Sequence, residues 1–178
     1  MMNQAWIQEH VDSFIAENRE ALLRDMKTVI DIDSVEAPAE PNAPYGAGVR
    51  KALDAALAIA RDLGLSTGEC DGYMGYADVK GDSDTQLATI THLDVVPAGN
   101  GWDSDPFDMI EKEGWLIGRG VSDDKGPALL TLYMAKFFKE YCDQTGETLP
   151  YTLRVLLGCS EETGMTDVDY YLEHNPMP

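Results

Sequence analysis

Apolar positions recur three or four apart over long stretches of this chain and cluster in short blocks elsewhere, a pattern that predicts helices alternating with strands. Ile7, Val11 and Phe14 make one stripe and predict a helix over Trp6–Ile15. Leu22, Leu23, Met26, Val29 and Ile30 continue the stripe over Glu20–Ile30, with Asn18 either a boundary between two helices or no break at all. Residues 36–48 hold three prolines and two glycines, which excludes a helix interior and predicts a long connection of the kind that often carries function. Val49–Leu63 follows as an alanine-rich helix with Leu53, Ala56, Leu57 and Ala60 on one side and Gly64 as its C-cap. Gly68–Asp84 reads as a hairpin, with Tyr73–Val79 as strand and Lys80-Gly-Asp-Ser-Asp84 as turn, leading into a strand over 85–93. Phe107–Glu111 and Trp115–Ile117 form a short strand pair closed by Gly118-Arg119-Gly120.

The strongest helical pattern runs from Lys125 to Cys142, where Leu129, Leu132, Tyr133, Lys136 and Phe137 mark successive turns. A loop at 145–150 precedes a strand at Tyr151–Leu157, in which Leu153, Val155 and Leu157 share one face and Leu156 indicates burial on the other. A last helix starts near Asp167 and stops before Pro176. This alternation predicts a layered α/β sheet, and 178 residues predict one domain with a real core.

Charge narrows the partners. Asp and Glu number 32 against 13 Lys and Arg, for a net charge of -19, which opposes nonspecific binding to nucleic acid or to an anionic membrane surface. The first residues have no basic region leading into an apolar run, so no signal peptide is expected. The most apolar helical stretch, Ala128–Phe138, is too short to span a bilayer and contains Lys136. Cys70, Cys142 and Cys159 show no paired spacing, which suits a reducing, cytoplasmic compartment.

Candidate chemistry gathers where strands become loops. The segment Thr85–Asp105 opens as a strand and breaks at Pro97, Gly99 and Gly101, with His92 and Asp94 at the transition, the usual place for a site in an open α/β sheet. Two apart in an extended segment, both side chains can leave the same face, and an aspartate there can accept the second ring N–H of the histidine. Asp123 and Asp124 lie between the strand pair and the long helix, where Asp124 could cap that helix, and Glu161 and Glu162 follow the 151–157 strand. Taken singly these pieces also read as a simple turn, a solvated helix start and a charged loop. Together, beside glycine-rich junctions, they read as one site. Imidazole with carboxylates suits zinc, manganese or cobalt. A carboxylate shared by two ions would hold them about 3.5–4 Å apart, and a further carboxylate would be needed to take a proton from water.

The segments His92-Leu-Asp-Val-Val-Pro97, Gly118-Arg-Gly-Val-Ser-Asp-Asp-Lys-Gly126 and Ser160-Glu-Glu-Thr-Gly164 resemble the signatures of the dinuclear zinc peptidase and deacylase family that includes aminoacylase, acetylornithine deacetylase and glutamate-releasing carboxypeptidase. The bacterial peptidase V-like dipeptidase branch shows similar text at Asp31–Val35, at Pro44-Tyr-Gly-Ala-Gly-Val-Arg-Lys-Ala-Leu53 and at Gly99-Asn-Gly-Trp-Asp-Ser-Asp-Pro-Phe107. The resemblance implies a three-layer α/β/α zinc-exopeptidase-like catalytic domain with a mixed sheet. It implies that His92 ligates one zinc, Glu162 the other, and Asp123 both, with manganese or cobalt as substitutes. Asp94 would orient and polarise His92, and Glu161 would be the general base. It also implies a cis peptide between Asp123 and Asp124.

The implied activity is hydrolysis of dipeptides by water activated between two zinc ions, with a small peptide as substrate, no nucleic-acid or membrane partner, and the oligomeric state left open. N-acyl amino acid deacylation is the alternative within the family, and a non-catalytic truncated fragment is the alternative outside it. The family pattern requires a further acidic ligand beyond the glutamate pair and a terminal histidine, and His10 and His174 match neither place. Residues 1–178 are therefore expected to form the N-terminal part of a catalytic domain that is incomplete at its C-terminal side and lacks its covering domain. Alone, such a fragment is expected to be inactive.

Overall fold

A computed structural model describes residues 4 to 175, so the chain end at Pro178 and the proline after the last helix lie outside the described residues. The elements in order are α1 (Gln4–Ile30), α2 (Ala47–Asp62), β1 (Ser66–Cys70), β2 (Met74–Val79), β3 (Gln86–His92), β4 (Ile110–Lys112), β5 (Trp115–Ile117), α3 (Lys125–Thr145), β6 (Thr152–Gly158) and α4 (Thr166–His174). The main sheet has the order β1-β2-β6-β3. β1–β2 and β2–β6 are antiparallel, whereas β3 runs parallel to β6.

The sheet is covered on both faces, because its strands alternate side chains between two cores. Ala77, Val79, Leu153, Val155 and Leu157 point into the larger core, where Val29 and Ile30 of α1, Leu53 and Leu57 of α2, and Leu129 and Leu132 of α3 meet them. Met74 and Leu156 face the other way and pack under Tyr171 of α4. Three layers result, α/β/α with a mixed sheet, as expected. Gly75 marks where α2 presses closest: a Cβ there would sit 2.6 Å from Leu53 Cδ1.

One alternative left open by the sequence is settled, and one expectation differs from the structure. The first two helical stripes form a single helix, α1. Asn18 does not interrupt it; its amide donates back to Phe14 O at 2.9 Å and its Oδ1 accepts Lys136 Nζ at 2.5 Å. The hairpin turn is not Lys80–Asp84. β2 turns back through Asp71 and Gly72, both with positive φ, to pair with β1. β6 lies between β2 and β3, so the 80–84 segment crosses from one strand to a non-neighbour. The short strand pair is present, though its first strand starts at Ile110 and not at Phe107; β4 and β5 are joined by Glu113 and Gly114, both at positive φ as a tight hairpin demands, and α3 runs past Cys142 to Thr145, where Gly146 closes it in the left-handed conformation.

Candidate active site

The parallel pairing of β3 with β6 creates the site. Their register sets His92 opposite Gly158, so the loops that leave both carboxyl ends start side by side. One loop carries His92 and Asp94, and the other Glu161 and Glu162. Asp123 and Asp124 reach the same place from the start of α3. That approach depends on glycines. Gly120 takes φ +88°, and Gly126 passes so close to the preceding turn that a Cβ would stand 2.0 Å from Val121 O. The peptide between Asp123 and Asp124 is cis, as expected from the resemblance.

His92 is buried and held from both sides. Its Nδ1 lies 3.0 Å from Asp94 O and 3.3 Å from Asp94 Oδ1. Its Nε2 is 3.1 Å from Asp123 Oδ1 and 3.7 Å from Glu161 Oε2. Ligand atoms of His92, Asp123 and Glu162 all lie within 4.8 Å of one another. The side chains that the sequence singled out, spread from 92 to 162, thus come together at one end of the sheet.

Burial opposes a charge on His92, but the hydrogen bond and charge of Asp94, helped by Asp123, outweigh it and raise its pKa to about 9. Burial likewise works against the Asp94 charge, yet hydrogen bonds from His92 and from the Glu162 and Glu161 N–H groups hold this carboxyl below its ordinary value. Glu162 is pushed up by burial first and by the charge of Asp123 second. Asp124 is also raised, by burial, against the pull of the His92 N–H and ring.

This donor set fits a divalent cation. Asp94 engages Nδ1, so Nε2 is the ring nitrogen turned toward Asp123 and Glu161, and neighbouring carboxylates that repel one another would be relieved by a positive ion. A cleft of about 310 Å³ opens beside these groups, lined also by Ile90, Met165 and Val168.

Several residues of the site were not anticipated in these roles. Asp94 does more than face His92: its Oδ1 accepts the Glu161 N–H at 3.2 Å and its Oδ2 the Glu162 N–H at 3.0 Å. Asp124 does not cap α3; its Oδ2 accepts the His92 N–H at 3.1 Å. Lys125 is fully buried and donates to Ile32 O at 2.6 Å, with its pKa lowered by burial to about 8 against the pull of Asp33, Asp31 and Asp94. Asp167, at the start of α4, accepts the Cys159 and Ser160 N–H groups at 2.6 and 3.2 Å and so holds the first residues of the glutamate turn. The only sequence signal for Asp167 was an acid at a helix start, a common feature with no pointer to a loop seven or eight residues earlier.

The fold is a layered α/β one with an imidazole and carboxylates gathered where its parallel strands end. Residues 88–176 match the model of Peptidase family M20/M25/M40, and the chain belongs to that family. Over 168 residues it is 34% identical to "Putative dipeptidase YtjP" of Bacillus subtilis (strain 168), covering 92% of this chain and 35% of that protein. Over 163 residues it is 39% identical to "Beta-Ala-Xaa dipeptidase" of Lactobacillus delbrueckii subsp. lactis, covering 90% of this chain and 34% of the relative. Among solved structures, human carnosine dipeptidase 1 superposes with a TM-score of 0.74 at 22% identity, over 93% of this chain and 37% of the other, which shows a shared fold. The chain therefore spans about a third of the length of the curated relatives it matches.

Proposed function

We propose that this chain is the N-terminal part of the catalytic domain of a metal-dependent dipeptidase. The observation that carries the reading is the convergence of His92, Asp123 and Glu162 donor atoms within 4.8 Å, with Glu161 Oε2 beside the same imidazole nitrogen. His92 and Asp123 would hold one zinc ion, and Glu162 with the same Asp123 a second; manganese or cobalt would suit the same donors. Bound there, the ions would supply a Lewis acid for the scissile carbonyl and lower the pKa of the attacking water. Glu161, which is not needed as a ligand, would accept a proton from water and return it to the leaving amine. Asp94 fixes the tautomer and direction of His92 and positions the main chain of both glutamates.

Two protein ligands per ion fall short of the three usual in catalytic zinc sites, so further ligands and a covering domain come from elsewhere in the polypeptide. The threefold greater length of the relatives supports this, as do Leu87 and Ile90, apolar and exposed on the edge strand β3. The substrate is a small peptide. Among the described residues no helix is long and apolar enough to cross a membrane. Free Cys70, Cys142 and Cys159 support a cytoplasmic location.

The test pairs zinc calorimetry with a dipeptide hydrolysis assay, run on residues 1–178 and on a longer polypeptide that continues through the remaining family ligands. The longer form binds zinc and turns over the dipeptide, and Glu161→Ala abolishes turnover while zinc stays bound. The short form binds zinc weakly and is inactive. Comparable turnover by the short form, lost on Glu161→Ala, would show that the site is complete within these residues and would overturn the partial-domain reading.

A further inference from the structure

The connection between α1 and α2, left without a role above, touches both loops that carry the site. At its start, Ser34 is tied twice to the His92 loop: its Oγ donates to Leu93 O at 2.7 Å, and its carbonyl accepts the Val95 N–H at 3.2 Å. These contacts fall on either side of Asp94. Further along, the Glu36 carboxylate accepts the Thr163 hydroxyl, one residue beyond Glu162. At the far end, the buried Tyr45 hydroxyl lies 2.8 Å from Thr166 Oγ1. The segment is braced within itself, since Ala37 N–H donates to Tyr45 O at 3.1 Å, and Glu40 and Ala43 exchange two backbone bonds of 3.0 Å.

The hydroxyl contacts join into one directional chain. Thr163 gives its only hydroxyl proton to Glu36, so the 3.1 Å contact between Ser160 Oγ and Thr163 Oγ1 has Ser160 as donor. Ser160 then accepts from Thr166 at 3.5 Å, and Thr166 accepts from Tyr45. The order Tyr45, Thr166, Ser160, Thr163, Glu36 begins on a hydroxyl that donates and ends on a carboxylate that can only accept, so Thr166, Ser160 and Thr163 each donate and accept without conflict. This chain runs along the turn whose main chain sets the place of Glu161 and Glu162. Asp94 holds the same turn from beneath.

We propose that residues 34–45 form a strap that sets the distance between the His92 loop and the glutamate turn, with Tyr45 and Glu36 as positioning residues acting through Thr166 and Thr163. The proposal rests on the reading of Glu161 and Glu162 given above. Among the described residues the metal donor group is His92, Asp123 and Glu162, so the strap acts through position and not as a ligand. It holds two adjacent glutamates in different positions, so that one carboxylate serves the metal and the other stays free for the proton.

The test compares Tyr45→Phe, Thr163→Val, Thr163→Ser and Glu162→Gln in the full-length enzyme, reading zinc affinity by calorimetry, kcat and KM on a dipeptide, and Tm. Loss of such an outer contact weakens zinc affinity and kcat by about tenfold in Tyr45→Phe and in Thr163→Val, and Thr163→Ser restores both. KM stays within about twofold, because the proposed role lies in placing Glu161 and Glu162 and not in gripping the substrate. If Tyr45→Phe fails to fold, the exposed Thr163 pair decides alone. Wild-type zinc affinity and kcat in Thr163→Val, with zinc binding lost in Glu162→Gln, overturns the strap while leaving the metal site standing. A valine variant that serine does not rescue also overturns it. Wild-type zinc affinity in Glu162→Gln overturns the metal-site reading, and this proposal with it.

Discussion

The carboxylate of Asp94 accepts the backbone N–H of Glu162 at 3.0 Å across 68 positions of sequence. With its other oxygen Asp94 faces His92 Nδ1 at 3.3 Å and accepts the Glu161 N–H at 3.2 Å. One buried side chain therefore sets both the imidazole and the two glutamates, and couples the loops after β3 and β6. Its place between them gives the residue a structural weight that Asp123, the exposed carboxylate opposite, lacks.

Asp94→Ala is expected to cost about 3 kcal/mol in unfolding free energy, since it takes a buried charged acceptor from the buried His92 ring and from two partly buried N–H groups. Asp123→Asn, at a side chain 76% exposed, should change stability by less than about 0.5 kcal/mol while weakening zinc binding. Urea denaturation and calorimetry on both variants check the contrast; equal stability losses would contradict it.

Gly126→Ala should destabilise far more than Gly146→Ala. A Cβ at Gly126 meets the backbone oxygen of Val121 at 2.0 Å, whereas at Gly146 nothing lies within 4 Å and only the positive φ resists the change. About 1 kcal/mol is expected at Gly146 and several times that at Gly126, where zinc affinity should fall too because the turn presents Asp123. Thermal unfolding of the two single variants separates these cases.

On the α4 face of the sheet, Arg154 makes paired bonds of 2.8 and 2.6 Å to Asp78 on the neighbouring strand, donates to Tyr171 at 2.7 Å, and stacks over Tyr76. Asp78→Ala leaves this largely covered guanidinium, its side chain 12% exposed, without its carboxylate and should cost about 3 kcal/mol. Combining it with Arg154→Met should recover much of the loss. A double-mutant cycle showing simple additivity would mean that the pair does not interact in the folded state.

Lys125 makes stability depend on pH in the alkaline range. Burial lowers its pKa from 10.5 in the free side chain to about 8, partly offset by Asp33, Asp31 and Asp94. Between those values the unfolded chain binds more protons than the folded one, so the contribution of this residue is flat below pH 8 and becomes more favourable as pH rises toward 10.5. The gain amounts to roughly 3 kcal/mol at most. Unfolding free energies of the native chain and Lys125→Met, measured from pH 7 to 10.5, should diverge over this window; parallel profiles would show that Lys125 keeps its proton when folded.

Much of this was legible in the chain. The spacing of Leu129, Leu132 and Tyr133 determined α3, and the alternation of Leu153, Val155 and Leu157, with Leu156 between them, determined the two-faced burial of β6, because helix and strand periods are local properties of backbone geometry. The placement of His92, Asp123, Glu161 and Glu162 at element junctions was equally local, since glycine and proline mark where regular structure stops. What the tertiary structure alone decided was pairing. No periodicity says that β6 inserts between β2 and β3, or that Ser34 ties to Leu93 and Tyr45 to Thr166. Nor does any local pattern say that Asp94 and Asp167 hold the glutamate turn, or that Asp124 turns from its own helix to the His92 N–H. These contacts join residues remote in sequence, or turn a side chain away from its nearest local partner. A buried polar group must find a partner wherever packing brings one, and which partner that is follows from how the layers close, not from the residues on either side of it.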